Sequence, residues 1–195
     1  MNLISDTELY GVFPRNLPDD LVQLARTTEE ESPYDTEARV ETEKLRGKRW
    51  EDVKSELFQQ CYDLPLLLSP PAFHYYFPAF IKQSQINISQ LGLFVDTILN
   101  LLADTEVHWP EALSRIEESF LKENPEIQEA VQSIDMEGLS AWREERWRLF
   151  TKEQWLVVQK WLIWMKRHAE CDVNQSVLQK ALGNIDMWLK GNVGR

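Results

Sequence analysis

Apolar residues recur along most of this chain at steps of three and four residues, which is the period of an α-helix with one buried face. The two clearest stripes comprise Trp50, Val53, Leu57, Phe58 and Cys61, and then Leu91, Phe94, Val95, Ile98 and Leu102. We find no segment with the alternating pattern of a half-buried strand and no Asn-Gly hairpin turn. The pattern therefore predicts an all-α protein.

Start and stop signals divide the chain into about seven helices. Ser69 before Pro70 is a typical N-cap, and Thr151 followed by Gln154 forms a capping box. Gly47 is placed to end a helix that starts near Asp35. Further helices are expected over residues 50–62, from Asn87 or Ser89 to Ala103, from Trp109, from Asn124, and from Asp172 with Gln175. Residues 1–34 are then a short helix with a partly mobile loop, and residues 35–195 a single helical domain.

Residues 66–80, LLLSPPAFHYYFPAF, place Pro78 inside the helix that Ser69 starts. An internal proline costs ~3 kcal/mol unless a kink or an outside donor compensates. A kink would expose a backbone carbonyl beside His74 and Tyr75, which makes these two candidate ligand-binding residues. In the alternative interpretation His74 and Tyr75 lie outside a core formed by Phe73, Tyr76, Phe77 and Phe80. The sequence leaves both interpretations open.

The motifs at residues 69–73 (SPPAF), 75–80 (YYFPAF) and 150–154 (FTKEQ) resemble those of a family of small, uncharacterised bacterial proteins. That family carries a Thr/Ser-Pro-x-Ala-Phe-x-Tyr-Tyr-Leu-Pro-Ala-Phe/Tyr run and a later Phe/Leu-Thr-Pro/Lys-Glu-Gln run. The resemblance covers roughly residues 45–190 and departs at Pro71, where such relatives usually have glutamate. It sharpens the expected fold but implies no activity, because the family has none established.

Charge is unevenly distributed along the chain, whose net charge is −11. Residues 70–140 carry 3 basic and 11 acidic groups, whereas residues 141–195 carry 10 basic and 6 acidic groups. Dense carboxylates at Glu117, Glu118 and Glu126 predict an acidic helical surface that binds another protein. Small acidic antitoxins and immunity proteins that neutralise basic partners fit this description.

Sequence patterns for catalysis are missing. No Glu-x-x-His pair, no G-x-S-x-G motif and no glycine-rich phosphate loop is present. His168 and Cys171 lie three residues apart beside Asp172, which could be a metal-ligand spacing, but we favour a surface histidine stabilised by the dipole at a helix C-terminus. Cys61 belongs to an apolar stripe and is expected in the core. We therefore assign no catalytic residue, no metal and no cofactor, and favour a protein-binding module over an enzyme. The alternative is an enzyme or small-molecule sensor with a pocket near the Pro78 kink.

The net negative charge also disfavours nucleic acid and anionic membrane surfaces as partners. Tryptophans alternate with basic residues over residues 142–168, as in some nucleic-acid-binding proteins, but their helical spacing predicts core packing, with Trp161 as an anchor. The most apolar run, residues 155–165, is short and interrupted by polar residues, so no membrane span is expected. With no secretory signal recognised, we expect a cytoplasmic protein. The oligomeric state stays open.

Overall fold

A computed structural model describes residues 3–19, 21, 23–25, 33–103, 145–168 and 173–190. These residues form α-helices and short 3₁₀ helices without a strand, and an isolated backbone bridge joins Ala25 to Leu68. This confirms the predicted all-α, single-domain class.

The helices follow one another with short connections between most of them. Their bounds are α1 Asp6–Val12, α2 Pro33–Glu43, α3 Ser55–Gln60, α4 Leu64–Leu67, α5 Pro70–Asn87, α6 Gly92–Leu102, α7 Lys152–His168 and α8 Gln175–Leu189. The 3₁₀ helices are Trp50–Asp52, before α3, and Ile88–Gln90, between α5 and α6. Residues 145–148 are also helical.

Two predicted helix starts are confirmed. The Ser69 side chain caps α5 by accepting a hydrogen bond from the Ala72 amide at 3.4 Å. In the capping box of α7, the backbone amide of Gln154 donates to Thr151 Oγ1 at 3.3 Å, and the backbone amide of Thr151 donates to Gln154 Oε1 at 2.9 Å. These caps satisfy amides that lack a partner in the first turn of a helix.

Other predicted boundaries are wrong. The helix expected over residues 50–62 is broken, since a 3₁₀ helix ends at Asp52 and α3 starts only at Ser55. Neither Asn87 nor Ser89 caps α6, which begins at Gly92 without a side-chain cap. The cap of α8 is Asn174, whose Oδ1 accepts from two backbone amides. Asp172 and the helices predicted from Trp109 and Asn124 lie outside the described residues.

Helix α5 is the centre of the aromatic core. It runs unbroken through Pro78, which is buried, and its rings pack edge-to-face against one another and against neighbouring helices. Phe80 contacts Phe94 of α6 with ring centroids 5.3 Å apart, and Phe77 contacts Trp161 of α7 at 6.1 Å. Such pairs add stability beyond the apolar area that they bury.

The predicted core positions of Cys61 and Trp161 are confirmed, because both side chains are buried. Trp161 Nε1 donates to Ser84 Oγ on α5 at 2.9 Å, so its polar atom is satisfied inside the core. The expectation that Tyr75 lies outside the core is wrong: only 1% of its surface is exposed. A helix packed on several sides has little outer face, which is why the one-sided pattern fails here.

In the described part of the chain, every helix is too short or too polar to cross a membrane.

Candidate functional site

His74 is held in a hydrogen-bond network that joins three helices. Its Nε2 lies 2.9 Å from Gln154 Oε1, and Gln154 Nε2 donates to the carbonyl of Val12 at 2.9 Å. Because the side-chain nitrogen of Gln154, Nε2, donates to a carbonyl, the other side-chain atom, Oε1, is the acceptor. His74 Nε2 therefore carries the proton. The half-buried ring packs edge-on against Phe150, with centroids 4.9 Å apart.

Burial lowers the pKa of His74, although its hydrogen bond to Gln154 acts in the opposite direction. The neutral ring is therefore the form that suits this site. Its Nε2 proton and the Gln154 side chain serve to connect α1, α5 and α7, which is a structural use of these polar atoms.

The two tyrosines beside His74 also donate to backbone carbonyls. The Tyr76 hydroxyl lies 2.9 Å from the carbonyl oxygens of both Leu45 and Lys48, and the Tyr75 hydroxyl lies 3.4 Å from that of Arg15. Burial raises the pKa of both phenols. Tyr76 thus connects α5 to the turn after α2, and Tyr75 connects it to the segment after α1.

A compact charged cluster surrounds Glu51, whose side chain is only 8% exposed. Arg49 Nη1 lies 2.6 Å from Glu51 Oε1, Arg15 Nε lies 3.6 Å from Oε2, and the Tyr10 hydroxyl donates to Oε2. The hydrogen bond to Glu51 raises the pKa of Tyr10. A carboxylate that is nearly buried needs such compensation, so the cluster anchors the amino-terminal segment to the 3₁₀ helix Trp50–Asp52.

A further candidate is an open groove of about 590 Å³ between the turn after α2, the first 3₁₀ helix and α3. Its lining consists of Lys44, Lys48, Asp52, Val53, Lys54, Glu56, Leu57 and Gln60. Val53 is buried and Leu57 half-buried, so these two form an apolar floor beneath a charged rim. The volume falls in the range of roughly 300–1,000 Å³ that ligand sites occupy.

Side chains of α5 hold the backbone of this groove in place. Tyr76 fixes the carbonyls of Leu45 and Lys48, and Gln83 Nε2 donates to the Val53 carbonyl at 2.9 Å. Gly47, at the apex of the turn, has φ of 70°, a left-handed conformation that glycine adopts without strain. The groove is therefore preorganised, which lowers the entropy cost of binding.

Two lysines on the rim of the groove have no carboxylate partner among the residues that the structure describes. Lys44 pairs with Glu41 at 2.5 Å, and Asp52 with Arg49 at 3.1 Å. Lys48 and Lys54 are exposed and form no ion pair within the part of the chain that the structure describes. The groove therefore presents two lysine ammonium groups that are available to pair with a carboxylate of a ligand.

The groove and the residues predicted from the sequence do not coincide. His74 and Tyr75 lie on α5 and do not line it, while Glu117, Glu118 and Glu126 lie outside the described residues. Sequence reasoning missed the groove because its lysines fall in the polar segment after α2 and at the residue that precedes α3. The available signal was the run 44–54, which contains five basic residues.

Among the described residues, no group of three or more histidine, cysteine or carboxylate side chains is arranged to hold a metal ion. No protein-family model, no curated protein and no solved structure matches this chain. The resemblance to uncharacterised bacterial proteins therefore stays a prediction from the motifs.

Proposed function

We propose that this chain is a protein-binding module of the cytoplasm. The observation that supports this function best is the preorganised groove between the turn after α2 and α3. It is open to solvent and is lined by two apolar residues, Val53 and Leu57, together with charged residues. Surfaces of this kind receive an extended segment of another protein, with pockets and charges selecting its side chains.

Binding accounts for these features better than catalysis does. A catalytic site gains from excluding water around its reacting groups, whereas this groove is open to solvent. The best acid-base candidate, His74, uses its Nε2 proton to connect α5 with α7. We therefore prefer a binding role to an enzyme or small-molecule sensor near Pro78.

The acidic surface predicted at Glu117, Glu118 and Glu126 is the second contact that we propose. Residues 104–144, which include it, carry 11 acidic and 3 basic groups and so have a net charge of −8. Such a segment attracts a basic partner over a distance and raises the association rate. An antitoxin or immunity protein that neutralises a basic partner would use it in this way.

Affinity capture from the native cell, followed by mass spectrometry, identifies the partner, and charge-reversal variants then locate the contact. One variant carries Lys48→Glu and Lys54→Glu in the groove, and another carries Glu117→Lys, Glu118→Lys and Glu126→Lys. The matched control for the groove is Lys180→Glu with Lys190→Glu, which changes the net charge equally at two exposed lysines of the α8 region.

We expect the groove variant to release the captured partner and the control to retain it. The acidic-segment variant should mainly slow association at low salt, since screening removes long-range attraction as ionic strength rises. Capture that is unchanged in both variants, with the helical circular dichroism spectrum intact, would contradict the proposed function.

A further inference from the structure

We infer that the groove binds an extended, acidic segment of a partner protein, in which carboxylates alternate with apolar side chains. This inference rests on the proposed function and specifies its ligand. The carboxylates would pair with Lys48 and Lys54, and an apolar side chain would pack on Leu57 above Val53.

The apolar part of the inference follows from the floor of the groove. Leu57 is half-buried although it borders solvent, and Val53 below it is 2% exposed. The Val53 backbone is held in place by the hydrogen bond from Gln83 Nε2 to its carbonyl. An apolar side chain from a partner would remove the exposed part of Leu57 from water, which favours binding.

The charge of the ligand follows from the rim. Lys48 and Lys54 stand on opposite sides of the first 3₁₀ helix in the sequence, and both line the same groove without an ion pair among the described residues. A carboxylate from a partner would meet each ammonium group without displacing an existing pair. Lys44 is less available, because it already pairs with Glu41.

The rim also carries carboxylates, which favour an acidic peptide over a polyphosphate as the ligand. Asp52 and Glu56 also line the groove, so a ligand with a charge on every unit would meet repulsion there. A peptide whose carboxylates are separated by uncharged residues can face the lysines and avoid the two rim carboxylates.

Fluorescence anisotropy with labelled peptides tests this inference on the full chain. The probe is a short peptide that repeats Glu-Leu-Glu-Gly, compared with one in which serine replaces leucine and one in which lysine replaces glutamate. We expect the wild type to bind the first peptide, with affinity that falls as salt rises from ~50 mM to ~500 mM because screening weakens exposed charge pairs. The serine peptide should bind about tenfold more weakly, since it buries no large apolar side chain.

The variant with Lys48→Glu and Lys54→Glu provides the decisive comparison. It should bind the glutamate peptide about tenfold more weakly than the wild type and bind the lysine peptide better than the wild type does. Lys180→Glu with Lys190→Glu should leave both affinities unchanged. The gain of binding in the charge-swapped pair cannot come from a loss of folding.

Equal binding of the glutamate peptide by the wild type and the groove variant would overturn the inference, as would tighter binding of a single-stranded oligonucleotide than of any acidic peptide. If the groove variant loses its captured partner but no acidic peptide binds the wild type, the proposed function holds and the ligand class is wrong. If the groove variant alters neither measurement, the groove has no binding role and the proposed function loses its main support.

Discussion

Replacing Gln154 by leucine removes three side-chain hydrogen bonds with one substitution of similar volume. The Gln154 side chain is bonded at 2.9 Å to the Thr151 amide, to His74 Nε2 and to the Val12 carbonyl, and only 2% of the residue is exposed. Each such bond contributes roughly 1 kcal/mol net, and buried partners left unpaired cost more. We expect Gln154→Leu to lower the free energy of unfolding by about 2–4 kcal/mol.

The measurement is urea unfolding, followed by far-ultraviolet circular dichroism and by tryptophan fluorescence. Gln59→Leu is the matched control, because Gln59 is exposed and bonds only to another side chain, that of Gln90 at 3.0 Å. An exposed substitution of this kind changes stability by no more than about 0.5 kcal/mol. If the free energy of unfolding falls with urea concentration at the same slope in all variants, the variants differ in stability and not in the surface exposed on unfolding.

The result that would refute this reasoning is a loss of stability in Gln154→Leu no larger than in Gln59→Leu. It would mean that the leucine gains enough from apolar burial to offset the lost bonds, or that water satisfies the Val12 carbonyl and His74. The role of Gln154 as the connection between α1, α5 and α7 would then be withdrawn.

Three further outcomes follow from the core. Trp161→Ala should cost ~3–5 kcal/mol in urea unfolding, since it removes a fully buried ring, and a near-neutral result would contradict its role as an anchor. Tyr76→Phe should cost about 1–3 kcal/mol by removing the hydroxyl from which the Lys48 carbonyl accepts, although the Leu45 carbonyl keeps the Lys48 backbone amide as a donor. Tyr75→Phe, whose hydroxyl bond is longer, should cost less. Because burial lowers the pKa of His74 below its ordinary 6.5, the unfolded chain takes up the proton first as pH falls. The resulting stability is complete above that value and is lost as pH falls towards the folded pKa, a dependence that His74→Gln should remove from urea unfolding measured across this range.

Local signals explain which parts of the fold could be predicted. The caps at Ser69 and Thr151 depend on residues within three positions, and both act as predicted. At α8, Asp172 is the predicted cap, whereas the structure uses Asn174 two residues later. Sequence alone could not choose between them, because adjacent polar residues offer similar capping energies.

Long-range contacts explain which parts could not be predicted. The stripe from Trp50 to Cys61 has a helical period, yet the helix is interrupted where Gln83, 30 residues away, binds the Val53 carbonyl. The groove depends on the same bond and on those from Tyr76 to the turn after α2. Local periodicity does not predict which distant residues form these hydrogen bonds. The groove could therefore not be predicted from the sequence, although its lysines can be read there.

Stability and binding should therefore respond to substitutions at different residues of this chain. The aromatic side chains of α5 stabilise the core, and Tyr76 and Gln83 on the same helix hold the groove. Lys48 and Lys54 are exposed, and their ammonium groups form no hydrogen bond or ion pair in the part of the chain that the structure describes. Exposed lysines contribute little to folding when unpaired. Substitutions at the lysines should then alter binding at constant stability, while substitutions on α5 should alter stability first and binding through the shape of the groove.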